Sequence, residues 1–295
     1  MINNQGQVRV DCSSKAKNAQ FSTLLLLIVI ATLFGCEREI DFDYPAADAK
    51  VVFDGQISNE GVFVRISHTR PMTDPAKNAF VGNAQVWITA DDGTEEQLYY
   101  DDRQQSYLSP TGLVGTPGIT YQMRALVDGR EYEATTTMQP PAAVDTTFFR
   151  WIEAFNERLY FVCVKGKDPR PDERNYYLCR LMRGDEVFRW NPRSGRSSVD
   201  GIFEYDIPCS TESEIDDGVD DYGMIPLQDG DSLRLEVMTI DRNCWDYFQS
   251  LMISERTTAN AITNIRGGAH GIFMAANITR PDTLVFNRDT LLKQE

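Results

Sequence analysis

Residues 121–136 read Tyr-Gln-Met-Arg-Ala-Leu-Val-Asp-Gly-Arg-Glu-Tyr-Glu-Ala-Thr-Thr, and their pattern decides the fold class. Tyr121, Met123, Ala125 and Val127 fall at alternate positions. After Asp128-Gly129, so do Tyr132, Ala134 and Thr136. Period-two alternation puts one face of a strand toward a core. An Asp-Gly pair between two such runs predicts a hairpin, because both turn residues must take positive φ.

Working outward, the same grammar recurs. Val51-Val52-Phe53 with Ile57 forms one run, and Val62 to Ile66 alternate into another. Ala84, Val86 and Ile88 share a face, and Asp92-Gly93 ends their run. Short strands at this spacing predict a mainly β chain. Residues 50–138 form an N-terminal β-sandwich of about 90 residues, immunoglobulin-like or transthyretin-like. Gln139-Pro140-Pro141-Ala142-Ala143 reads as a boundary, since two prolines cannot enter a central strand. Beyond it, residues 144–295 read as a second β-sandwich-like domain, with strands at 146–153, 157–165, 175–183, 186–190 and 232–240. One short helix is expected near 242–255. Asp241 is its N-cap, and Trp245, Phe248, Leu251 and Met252 form a core-facing stripe. Residues 191–201 and 209–223 read as loops.

The chain has 295 residues with 29 basic and 44 acidic side chains, a net charge of −15. That balance argues against nucleic acid as a partner, which calls for a basic face. The N-terminus speaks to location. Residues 24–34, LLLLIVIATLF, are too short to span a bilayer but have the length of a signal-peptide core, behind Arg9, Lys15 and Lys17. Gly35-Cys36 at its end is similar to a bacterial lipobox. Residues 1–35 are therefore expected to be a lipoprotein signal peptide, with Cys36 the lipidated N-terminus of the mature chain. Residues 36–49 form an acidic tether. Its Glu37, Glu39, Asp41 and Asp43 resemble a surface-export signal, which predicts a lipid anchor in the outer membrane and exposure at the cell surface. From Cys36 onward the chain keeps 26 basic and 43 acidic residues, a net charge of −17. Such a surface disfavours anionic partners and favours basic ones.

Several further stretches, taken in order, carry a resemblance: Cys36 to Asp41, Lys50 to Ile57, Val64 to Ser67, Gly82 to Ile88, Gly118 to Tyr121, Trp245 to Phe248, Asn264 to Gly268 and Gly271 to Phe273. Together they resemble the DUF4249 family of Bacteroidetes outer-membrane lipoproteins. The resemblance implies a partner of a TonB-dependent receptor in a nutrient-uptake system. It brings no catalytic residues, and it names no small-molecule or peptide ligand.

The remaining chemistry is sparse. With two histidines, His68 and His270, and no GxSxG, neither a Ser-His-Asp triad nor a His-based metal site can be read. No cofactor is expected, and the chain is expected not to be an enzyme. Asn264 to Gly271 is rich in glycine, but it lacks the Lys-Ser/Thr of a phosphate loop and reads as a tight turn before the last strands. Glu212, Glu214, Asp216, Asp217, Asp220 and Asp221 crowd one stretch without the ligand spacing of a calcium loop. They read as a solvated acidic loop. Four cysteines remain after Cys36, namely Cys163, Cys179, Cys209 and Cys244, and allow three full pairings. Cys163 and Cys179 sit mid-strand like buried thiols, so Cys209–Cys244 is the first expected disulfide. Three functions follow in order of expectation. The first is a binding or accessory component of an uptake system. The second is a surface adhesin or structural lipoprotein with no transport role, and the third a hydrolase.

Overall fold

A computed structural model describes residues 48–70, 80–195, 201–219, 225–254, 257 and 259–293. The expected signal peptide, with Cys36 and the acids Glu37, Glu39, Asp41 and Asp43 of the expected tether, lies outside the described residues. No helix among the described residues is long and apolar enough to cross a membrane.

Seven strands come first: β1 (Val51–Ser58), β2 (Gly61–His68), β3 (Gln85–Ala90), β4 (Glu95–Asp101), β5 (Ser106–Leu108), β6 (Thr120–Val127) and β7 (Arg130–Thr137). Then follow β8 (Ala143–Ala154), β9 (Glu157–Lys167), β10 (Asn175–Arg183), β11 (Glu186–Gly195) and β12 (Ile202–Thr211). Helix α1 (Glu212–Asp217), β13 (Ser232–Thr239), helix α2 (Arg242–Ser254), β14 (His270–Thr279), β15 (Leu284–Val285) and β16 (Leu292–Lys293) complete the chain.

The hairpin expected at 121–136 is β6–β7. Val127 pairs with Arg130, and Asp128 and Gly129 take φ of 49° and 80°. These are the two positive values of a type I′ turn. Tyr121, Met123, Ala125 and Val127 are all buried, as their alternation requires. The larger sheet runs β11-β10-β13-β14-β1-β2-β5-β4-β3-β6-β7, and the smaller runs β12-β9-β8-β16. The molecule is thus mainly β and sandwich-like, with few helices.

Three apolar clusters fill it. The first lies under β1–β7 and holds Phe53, Val64, Ile88 and Met123. The second, between β8, β9, β12 and the β10/β13 part of the large sheet, holds Tyr160, Val162, Tyr177, Leu235 and Phe286. The third lies beneath α2 and holds Leu178, Met238, Met274 and Ile278.

The expected break at 139–143 does not end the sheet. Residues 139–142 lead from β7 to β8, but β14 returns to pair parallel with β1, Phe53 facing Gly271 and Ile57 facing Ala275. Asp48–Glu295 forms one compact unit. Phe273 and Ala275 enter the first core, while Ile272, Met274 and Ala276 enter the third. A strand buried on both faces between two neighbours reads as a continuous apolar run, and Gly-Ile-Phe-Met-Ala-Ala is one. Its partner lies more than 200 residues away, so no local pattern reports the pairing. The stretches read as loops also differ. Residues 191–195 continue β11, 209–211 finish β12, and 212–217 are helical.

An ion triad ties the joined halves. Glu236 on β13 is 3% exposed, and accepts from Arg180 Nη2 at 2.7 Å and from Arg280 Nε at 2.9 Å. Arg280 also pairs with Glu60 in the β1–β2 turn. A buried carboxylate needs such partners, because desolvation otherwise costs several kcal/mol (about that order).

Candidate binding surface

Asp241 sets the surface. It precedes α2, and its Oδ1 accepts from Cys244 N–H at 2.9 Å, which makes it the N-cap. Its Oδ2 accepts from Thr136 Oγ1 at 2.7 Å and from Thr137 N–H at 3.0 Å. Thr136 Oγ1 in turn accepts from Ala275 N–H at 3.0 Å. One carboxylate therefore joins the helix to strand β7 and, through Thr136, to β14. It also satisfies an N–H on an edge strand, which would otherwise be open for pairing.

The chain between α2 and β14 is stitched down at several points. Ile262 N–H donates to Ser250 Oγ at 2.8 Å. Asn264 makes both bonds to Phe273, donating to its carbonyl at 2.7 Å and accepting from its N–H at 3.1 Å. Arg266 N–H donates to Glu133 O at 2.7 Å. Gly271 takes φ +94°, and a Cβ there would stand 1.8 Å from Phe53 O. Gly271, in β14, thus lets two backbones meet, and Gly267 and Gly268 bend the chain before it at φ of +101° and +83°.

Two clefts flank this segment. One, of about 330 Å³, is lined by Thr135, Asn243, Asp246, Asn264 and Arg266. Its carboxylate, guanidinium and amides suit a small polar ligand. The other, of about 450 Å³, is lined by Val52, Thr69, Tyr247, Leu251 and His270. Burial, and then the Asp54 carboxylate, push the Tyr247 hydroxyl above its ordinary range, so it stays a hydrogen-bond donor at neutral pH. A third, open cleft of about 730 Å³ holds His68, Tyr100, Asp102 and Asp128. The two histidines thus stand in different clefts. In the stripe on α2, Trp245 and Phe248 pack on the third core, while Leu251 lines the second cleft.

Residues 212–217 of the acidic stretch are helical rather than a loop, while Asp220 and Asp221 lie outside the described residues. Thr211 and Glu214 form a reciprocal capping box that starts α1, and Gly218 closes it at φ 74°. Glu212 pairs with Arg158 at 4.0 Å and Asp216 with Arg288 at 3.1 Å. Among the described residues, no group of three or more His, Cys, Asp or Glu is placed to hold a metal.

The expected Cys209–Cys244 disulfide is corrected. All four cysteines are free and buried. Cys209 belongs to the second core, on β12, and Cys244 to the third, on α2. Burial pushes the Cys163, Cys179 and Cys209 thiols up to about 12 and Cys244 well above its usual range. At neutral pH they are thiols, the unreactive form.

Two features escaped the sequence reading. The ion pairs that link Glu236, Arg180, Arg280 and Glu60 join four distant stretches and have no local signal. The other is the β8–β9 turn. Its strands were legible, but not the exposure of Phe155 at its tip.

The geometry defines a mainly β scaffold with clefts beside a helix pinned by Asp241. The family is shown by comparison. The model described as "Domain of unknown function (DUF4249)" matches residues 37–281, and the chain belongs to that family. No curated protein matches it.

Proposed function

We propose that the protein is a surface-exposed, lipid-anchored outer-membrane component that binds rather than catalyses, as an accessory part of a TonB-dependent nutrient-uptake system. Anchoring is supported by the apolar run that ends at Gly35-Cys36, and export by Glu37, Glu39, Asp41 and Asp43. In the sequence, residues 37–47 lie between Cys36 and the first described residue, Asp48.

The observation that carries the binding half is the pinning of α2 and the following segment by Asp241 and Asn264. Loops held by a rigid scaffold recognise without a large ordering cost. Buried, protonated cysteines and two separated histidines offer no activated nucleophile.

Co-purification from mildly solubilised outer membrane tests the proposal. A TonB-dependent β-barrel recovered in stoichiometric amount is the expected result. Recovery as a lone monomer at every salt concentration would contradict it and favour the adhesin or structural reading.

A further inference from the structure

Strands β8 and β9 join through two residues, Phe155 and Asn156, with Ala154 paired to Glu157. Both turn residues take positive φ, 55° and 64°. This geometry favours Asn and Gly, and a bulky side chain there is strained by about 1 kcal/mol or more. Asn156 suits its place and Phe155 does not. The Phe155 ring is also 93% exposed, more than any other large hydrophobic residue described. It thus gains almost no packing in exchange for the strain. An asparagine at 155 would serve the hairpin better, so the fold itself does not account for the phenylalanine.

The tip is held firmly. Ser213 donates to Glu157 through Oγ at 2.7 Å, and Arg158 N–H donates to Glu212 at 3.3 Å, which brace the hairpin against α1. The Arg158 guanidinium lies 4.6 Å from the Trp151 ring centroid. Charge then selects the occupant. Glu153, Glu157 and Glu212 stand around Arg158, a local excess of carboxylate on a chain of net charge −15. Such a rim repels an anionic bilayer and complements a basic one.

We infer that Phe155 is the anchor by which the protein docks on its membrane-protein partner, its ring seated in an apolar socket rimmed by basic side chains. This rests on the docking reading above and adds to it the residue in contact. A rigid aromatic at a protruding tip is the kind of group that dominates an interface.

The test compares wild-type protein with Phe155→Asn, each expressed in the native cells, solubilised mildly and measured for recovered β-barrel. The variant should lose about tenfold or more of the barrel, melt at the same or a higher temperature, and regain recovery as Phe155→Trp. Equal recovery overturns the anchor and leaves the docking reading standing. No barrel with the wild type overturns both. A markedly lower melting temperature for Phe155→Asn makes Phe155 a folding residue and overturns the inference. So does flotation of the wild type on phosphatidylglycerol vesicles that Phe155→Asn abolishes, which assigns the ring to lipid.

Discussion

Thr136 Oγ1 donates to Asp241 Oδ2 at 2.7 Å across 105 residues of chain. The bond couples β7, the last strand of the N-terminal half, to the helix that borders both clefts. It makes the candidate surface a property of the joined halves.

Asp241→Ala should destabilise the protein by about 2–3 kcal/mol, since it removes an N-cap and leaves Thr137 N–H and Thr136 Oγ1 without their acceptor. Asp241→Asn, which keeps the cap, should lose less. Urea melts of the three proteins read the order directly, and equal midpoints would show that Asp241 does not join the halves.

Gly271→Ala should cost more. Its Cβ would meet Phe53 O at 1.8 Å near the start of the β1–β14 pairing, at a φ of +94°. No rotamer change relieves a backbone clash, so loss of the soluble folded form is expected. A variant that folds with unchanged hydrogen-exchange protection in β1 and β14 would contradict the parallel pairing.

The cysteines give a pH signature. Their folded pKa values, about 12 at Cys179 and Cys209, lie above the ordinary 9.0, so the folded state holds protons that the unfolded state releases. That stability is complete below pH 9 and falls as pH rises from about 9 toward 12. Chemical melts between pH 8 and 11 should show the decline, and Cys179→Ala should flatten it. Thiol reagents should label the native protein slowly at pH 8, and a mass unchanged by reductant should show that no disulfide is present.

The tether gives a cellular prediction. Changing Glu37, Glu39, Asp41 and Asp43 to Ala should keep the lipid but hold the protein inside the envelope. Protease added to whole cells should then spare the variant and cut the wild type. Equal cleavage would remove the export role.

Local pattern made the β6–β7 hairpin legible down to its turn, because side-chain alternation and the needs of positive φ at Asp128 and Gly129 are both short-range. The α2 cap was legible for the same reason, since Asp241 acts on Cys244 three residues on. Its second role was not, because nothing near Asp241 announces Thr136. The return of β14 to β1 and the Glu236 triad share that difficulty. Helix α1 did carry a signal, the Thr211-x-x-Glu214 capping box, but the density of carboxylates around it read as solvated loop. The cysteine pairing failed because spacing along the chain does not report which core a side chain enters.

The proposed anchoring at Cys36 has a direct measurement, mass spectrometry of the N-terminal peptide of the protein taken from the outer membrane. The account predicts a chain that begins at Cys36 and carries acyl mass on that residue, and an unprocessed precursor for Cys36→Ala. An intact N-terminus upstream of Cys36, or an unmodified Cys36 in the mature wild type, would contradict it.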